Sequence, residues 1–206
     1  MFAGFLNLIR KKGAAKRSFV PNHAELHKPD ALYRDCIFEN SYDQPTTEML
    51  SKSHIPLLRV LHSSIEITSF HKETEKVPLY VAISHVRSEG LGNMEGNAIS
   101  RCQLSRLQDL VNNLYTANCQ PVPFWIDTAC IPHEQPGKSM AFELLDKVYR
   151  RAGMVLALDM SIQNICMSSA REDLKTIQQS AWAQRLWTIR EDALANCIKL
   201  QFKDAP

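Results

Sequence analysis

Three apolar runs, each closing on a polar group, set the rhythm of the chain's second half. Leu79-Tyr80-Val81-Ala82-Ile83 ends in Ser84-His85. Phe124-Trp125-Ile126 ends in Asp127-Thr128-Ala129-Cys130, and Met154-Val155-Leu156-Ala157-Leu158 ends in Asp159. Short apolar runs bounded by turn residues read as strands buried on both faces. A carboxylate has no use in the middle of such a strand. At the carboxyl end of a parallel strand it emerges into a crevice. Helical spacing fills the gaps between the runs. Leu104, Leu107, Val111 and Leu114 fall on one helix face, widened by Leu110 and Tyr115, and Pro121 and Pro123 stop that helix. Ala141, Leu144, Leu145, Val148, Tyr149 and Ala152 form a second face, with Ser139 as its expected cap and Arg150, Arg151 and Gly153 closing it. Strand, helix, strand, helix, strand at short intervals predicts crossover units and a parallel sheet, hence an α/β fold with one polar site along the sheet's edge.

The flanks carry weaker patterns. Leu57-Leu58-Arg59-Val60-Leu61 and the alternating Ile65-Glu66-Ile67-Thr68-Ser69-Phe70 predict a short strand pair at a sheet edge. A glycine-punctuated loop runs from Arg87 to Asn93. Residues from about Ser169 to Ala195 read as two helical pieces, with Trp182, Leu186, Ile189 and Ala193 as the apolar face of the second, and Cys197 to Phe202 reads as a last strand. Phe19 to about Ser53 holds Pro21, Pro29 and Pro45 and no sustained period. That stretch reads as irregular chain anchored by Tyr33, Ile37 and Phe38. The division expected is an N-terminal extension over 1–53 and an α/β domain over 54–206.

The bulk numbers narrow the function classes. A length of 206 residues suits one domain with a core and an extension. A formal net charge of +2 gives no global field that argues for nucleic acid. Cys36, Cys102, Cys119, Cys130, Cys166 and Cys197 form no Cys-x-x-Cys pair and no zinc pattern, so they read as reduced thiols of an intracellular, cytoplasmic protein. No apolar run approaches a membrane span. In residues 1–17, Phe2, Phe5, Leu6 and Ile9 precede Arg10, Lys11, Lys12, Lys16 and Arg17, the reverse of a secretory signal. The plain reading is a frayed basic terminus. The alternatives are a short amphipathic helix on an anionic membrane surface and an organelle-targeting arm.

Several constellations carry candidate chemistry. Gln135-Pro136-Gly137-Lys138-Ser139 stands where a phosphate loop would, but Pro132, which has no amide donor, replaces the required first glycine. Asp127, Cys130, His133 and Glu134 could be read as a metal or thiol site, yet nothing recurs at ligand spacing elsewhere. Cys130 and His85 would pair as nucleophile and base if their strands are neighbours. Otherwise Cys130 is a small buried hydrophobe, the reading preferred here. Trp187 and Glu191 are four apart and share a helix face. A carboxylate beside an indole in a crevice loses solvation, which raises its pKa and suits acid–base work. The plainer alternative is a surface carboxylate paired with Arg185 or Arg190.

Taken together, Tyr80-Val81-Ala82-Ile83-Ser84-His85-Val86, Phe124-Trp125-Ile126-Asp127-Thr128-Ala129-Cys130-Ile131, Val148-Tyr149-Arg150-Arg151-Ala152 and Arg185-Leu186-Trp187-Thr188-Ile189-Arg190-Glu191 resemble the fungal heterokaryon-incompatibility (HET) domain. The blocks stand in that family's order over roughly Leu57 to Phe202. Arg87 stands where the family usually has tryptophan, Pro132-His133 replace Asn-Gln, and Arg190 replaces Gln. The resemblance implies fungal nonself recognition and regulated cell death through protein partners or self-association. HET domains are in turn distantly similar to Toll/interleukin receptor (TIR) domains, which implies a flavodoxin-like sheet. Some TIR domains hydrolyse NAD with a glutamate in a Trp-x-x-x-Glu-like helix. By that analogy NAD is the substrate, Glu191 is catalytic, and Ser84, His85, Asp127, Cys130 and Trp187 line the nucleotide crevice.

Overall fold

The computed structural model of the chain describes residues 38–39, 42–61, 64–86, 89–91, 98–115, 121–204 and 206; at positions 38, 39, 186, 187 and 189 it describes the backbone. In chain order the elements are β1 (Phe38–Glu39), α1 (Asp43–Ser51), β2 (His54–Val60), β3 (Ile65–His71), β4 (Val81–His85), β5 (Ile99–Ser100), α2 (Arg101–Leu114) and β6 (Phe124–Ile126). They continue with α3 (Asp127–Cys130), α4 (Gly137–Arg151), β7 (Met154–Leu158), α5 (Met160–Gln163), α6 (Ala170–Gln179), α7 (Leu186–Leu194) and β8 (Ile198–Leu200).

The three apolar runs lie side by side. The main sheet has the order β3-β2-β6-β4-β7-β8, with β6, β4, β7 and β8 parallel and β2 and β3 antiparallel at one edge. Register puts Ile83 opposite both Ile126 of β6 and Leu156 of β7. The predicted α/β architecture, a mostly parallel sheet flanked by helices, is therefore what the chain forms. The chain leaves β4 for β6 on one side, then returns past β4 to β7 on the other. Right-handed crossovers made in opposite directions put α2 on one face of the sheet and α4 on the other.

Burial explains why the runs are so apolar. Val81, Ala82, Phe124, Ile126, Val155 and Leu156 are fully buried, as expected of strands covered on both faces. Tyr80 is buried beside them, and its hydroxyl donates to the Val148 carbonyl at 2.6 Å, which ties β4 to α4. A second cluster of Val86, Ala157, Ile162, Ile177, Trp182, Leu200 and Phe202 closes the β8 end.

Three local expectations change. Within the stretch expected to be irregular, residues 43–51 form α1, which contributes Leu50 to the main core. Pro45 does not prevent it, because it sits in the first turn, where the missing N–H has no helical partner to lose. Tyr33 and Ile37 lie outside the described residues. Helix α4 starts at Gly137, two positions before the expected cap, and the Ser139 hydroxyl donates to Gln135 Oε1 at 2.8 Å instead. Trp182 precedes α7 rather than lying on its face.

The early start of α4 makes Gly137 sensitive. A Cβ there would meet Thr47 Oγ1 at 2.6 Å and the Pro132 ring at 2.8 Å. At Gly153 it would meet the flexible ends of Leu79 and Tyr115. A proline ring has nowhere to move, so Gly137→Ala is expected to cost about 1–3 kcal/mol in chemical denaturation, against less than about 1 kcal/mol for Gly153→Ala. Equal effects would show that Pro132 yields.

Candidate functional site

Ser84 and His85 are successive residues of a strand, so their side chains leave on opposite faces. Each organises its own polar group at the carboxyl end of β4.

On the α4 side the centre is Glu191. The Ser84 hydroxyl donates to Glu191 Oε2, and the Tyr149 hydroxyl donates to Oε1 at 2.9 Å. Ser84 Oγ in turn accepts the Trp182 indole N–H at 2.7 Å. That contact occupies an acceptor site on Ser84 and leaves its proton for the carboxylate. The backbone N–H of Trp182 donates to Asp159 Oδ2 at 2.8 Å. A continuous chain thus runs from the end of β7, through Asp159, Trp182 and Ser84, to Glu191 on α7. Tyr149 is fixed from behind by an edge-on contact with Trp125, ring centres 5.7 Å apart.

Opposing influences act on the Glu191 carboxylate. Burial pushes the Glu191 carboxyl above its ordinary value, the hydrogen bonds from Ser84 and Tyr149 pull it back, and the charge of Asp127 adds a smaller upward push. Burial, and then the charges of Glu191 and Asp127, hold the Tyr149 phenol well above its usual range, so it stays a donor. A pKa raised in the folded state makes that state bind protons more readily than the unfolded chain. The contribution of Glu191 to stability is therefore present below about 4.5 and is lost as pH rises through the raised value. Glu191→Gln is expected to flatten this fall; identical pH–stability curves for wild type and variant would contradict the desolvation.

On the other face, His85 Nε2 lies 2.7 Å from Asp127 Oδ1 and 3.1 Å from Thr128 Oγ1. An ionised carboxylate only accepts, so the short contact assigns the proton to Nε2. The His85 side chain is 3% exposed and that of Asp127 28%, so the pair leads from the buried strand end to the surface. Arg185 donates to the His85 carbonyl at 2.7 Å. The expected polar groups therefore gather at one end of adjoining strands, but as two adjacent hydrogen-bonded groups, with Asp127 felt at Glu191 through its charge.

Cys130 joins neither group. It is buried in α3 and burial pushes its thiol up to about 12, so the nucleophile reading fails even though β4 and β6 are neighbours. Trp187 shares α7 with Glu191; its side chain lies outside the described residues. The surface-pair reading of Glu191 gives way as well. Arg190 pairs with Asp146 at 2.5 Å, so that departure from the HET pattern points away from Ser84 and Tyr149. Arg87 lies outside the described residues. His133 spends its backbone N–H on Asp43 Oδ1 at 3.1 Å. Among the described residues, no group of three or more His, Cys, Asp or Glu is placed to hold a metal ion.

Tyr149 and Trp182 were legible in the sequence only as apolar positions. Both carry a polar tip that needs a partner once buried, and that is the signal that could have found them. No family model, no curated protein and no solved structure matches this chain.

Proposed function

We propose that the chain is a heterokaryon-incompatibility-type domain that acts in fungal nonself recognition and regulated cell death, by contact with a protein partner or by self-association. One observation carries the reading. The four sequence blocks that resemble that family come from β4, β6 with α3, α4 and α7, and a polar member of each reaches the same strand end: Ser84, Asp127, Tyr149 and Glu191. Expression in a filamentous fungus is expected to arrest growth, and Glu191→Gln to relieve the arrest. A wild-type chain that is folded, abundant and harmless would overturn the proposal.

A second reading is favoured by the state of Glu191 itself, a half-buried carboxylate held by two hydroxyl donors beside a partly open Asp127. That is the arrangement a NAD glycohydrolase needs. The bond from ribose C1′ to the nicotinamide nitrogen breaks, and its electron pair neutralises the pyridinium. The carboxylate steadies the oxocarbenium-like ribose in the manner of a glycosidase. Water then adds to C1′ and releases a proton, giving ADP-ribose and nicotinamide. Both oxygens of Glu191 already accept hydrogen bonds, which suits charge stabilisation better than proton donation. Incubation with NAD, following nicotinamide, separates the readings. Release lost in Glu191→Gln supports the enzyme, and no release from a concentrated sample leaves the scaffold.

A further inference from the structure

The winding of the sheet leaves a second crevice, distinct from the Glu191 group. In the order β6-β4-β7 the chain crosses from β4 to β6 on one side and then returns past β4 to β7 on the other, so the gap beyond the carboxyl ends of β4 and β7 is a topological switch point, the usual ligand position in open parallel sheets. A small pocket lies there. Its walls are His85, Val86, Glu89 and Leu91 from the β4 side and Leu158, Met160 and Gln163 from the β7 side. Its room is that of about one water or one amino group.

The polar groups in its wall are unusual for so apolar a place. His85 is buried, its Nε2 proton is spent on Asp127, and its Nδ1 is buried with no hydrogen-bond partner among the described residues. A neutral ring protonated on Nε2 offers Nδ1 as an acceptor. Leaving a buried acceptor unmatched costs about 1–3 kcal/mol, so this atom calls for a donor. Glu89 lines the same pocket. It accepts the Met160 N–H on Oε2 at 2.8 Å, and a carboxylate has further acceptor capacity. Burial raises the Glu89 carboxyl above its ordinary value, the Met160 N–H pulls it back, and the charges of Asp159 and Arg185 push it up and down respectively. His85 Nδ1 and Glu89 supply acceptors, the Gln163 amide also lines the space, and Val86, Leu91, Leu158 and Met160 wall it, so a fitting guest is an N–H₂ group on a flat apolar carrier.

We propose that this pocket binds the amino group of a small ring ligand, a carboxamide or an exocyclic ring amine, with one N–H on His85 Nδ1 and the other on Glu89. The site stands whether or not Glu191 cleaves anything, because none of its hydrogen bonds involves Ser84, Tyr149 or Glu191.

Two matched pairs test it on the intact chain at near-neutral pH. Nicotinamide and nicotinate differ in carboxamide against carboxylate; adenosine monophosphate and inosine monophosphate differ in the ring amine. The His85 ring nitrogens are followed by 15N magnetic resonance. Saturable movement of the Nδ1 signal with nicotinamide identifies a carboxamide, and with adenosine monophosphate a ring amine. In either case the partner compound is expected to bind at least about 10-fold more weakly, the cost of an unmatched buried acceptor. Glu89→Leu, which removes one acceptor, and Leu91→Phe, which fills the space, are each expected to weaken binding about 10-fold while the backbone amide spectrum stays folded. No movement with either amine-bearing compound overturns the proposal. So does equal binding within both pairs, or wild-type affinity in both variants. In the first case the space is a water site only.

Discussion

Trp182→Ala is expected to lower the free energy of unfolding by about 3–5 kcal/mol, the range for deleting a fully buried aromatic side chain. Trp182 is 1% exposed and packs in the cluster with Ile162, Ile177, Leu200 and Phe202. Its truncation opens a cavity under β8 and also strips Ser84 of the indole N–H. Trp182→Phe separates the two effects. It keeps most of the apolar volume and loses the donor, for an expected cost of about 1–2 kcal/mol. In that variant the Ser84 hydroxyl is no longer held with its proton toward Glu191, so the Glu191 carboxyl is expected to titrate higher than in the wild type. Urea denaturation measures the stabilities, with an unchanged slope showing that the surface exposed on unfolding is the same. A loss below about 1 kcal/mol for Trp182→Ala would mean that the indole is not packed as described, since buried aromatics do not leave that cheaply.

What the sequence shows and hides follows from the physics of each segment. The β4, β6 and β7 strands are legible because both their faces are buried, so a continuous apolar run is the only pattern that serves. Their polar ends are legible for the converse reason: Ser84, Asp127 and Asp159 interrupt a run that has no local use for them. Helices α2 and α4 bury one face only and show it as spacing, down to Leu107, Val111, Leu144 and Val148. Helix α1 hides because it is short and buries little, with Thr46 and Leu50 as its buried positions, so no period emerges from nine residues. Sequence misplaces the cap of α4 because Ser139 has the right chemistry three residues after the observed cap, Pro136. Partners within the site are hidden more deeply. Glu191 stands next to Arg190 in sequence, yet its hydrogen bonds go to residues 107 and 42 positions away. Only the fold brings such groups together, and charge adjacency along the chain points the other way.

Asp159 provides the second large effect, because one buried carboxylate serves two structures at once. Oδ1 accepts the backbone N–H of Ser161 at 2.8 Å and of Ile162 at 3.2 Å, capping α5, and also takes the Ser161 hydroxyl. Oδ2 accepts the Trp182 N–H at 2.8 Å. Asp159→Ala removes the cap, worth about 1 kcal/mol, and orphans a buried amide, worth about 1–3 kcal/mol more, so a total near 2–4 kcal/mol is expected. Asp159→Asn is the sharper experiment. An amide has one acceptor oxygen, so it satisfies either the α5 cap or Trp182 and turns its own N–H₂ toward the other. Its cost is expected near half that of the alanine variant, and it cannot be rescued by flipping the amide. If the chain of hydrogen bonds from Asp159 to Glu191 works as a unit, Asp159→Asn and Ser84→Ala are coupled, and the double variant loses about 0.5–1.5 kcal/mol less than the sum of the singles. Strict additivity would mean that the end of β7 holds Trp182 without influence on Ser84. Glu191 would then be held by Ser84 and Tyr149 without help from Asp159.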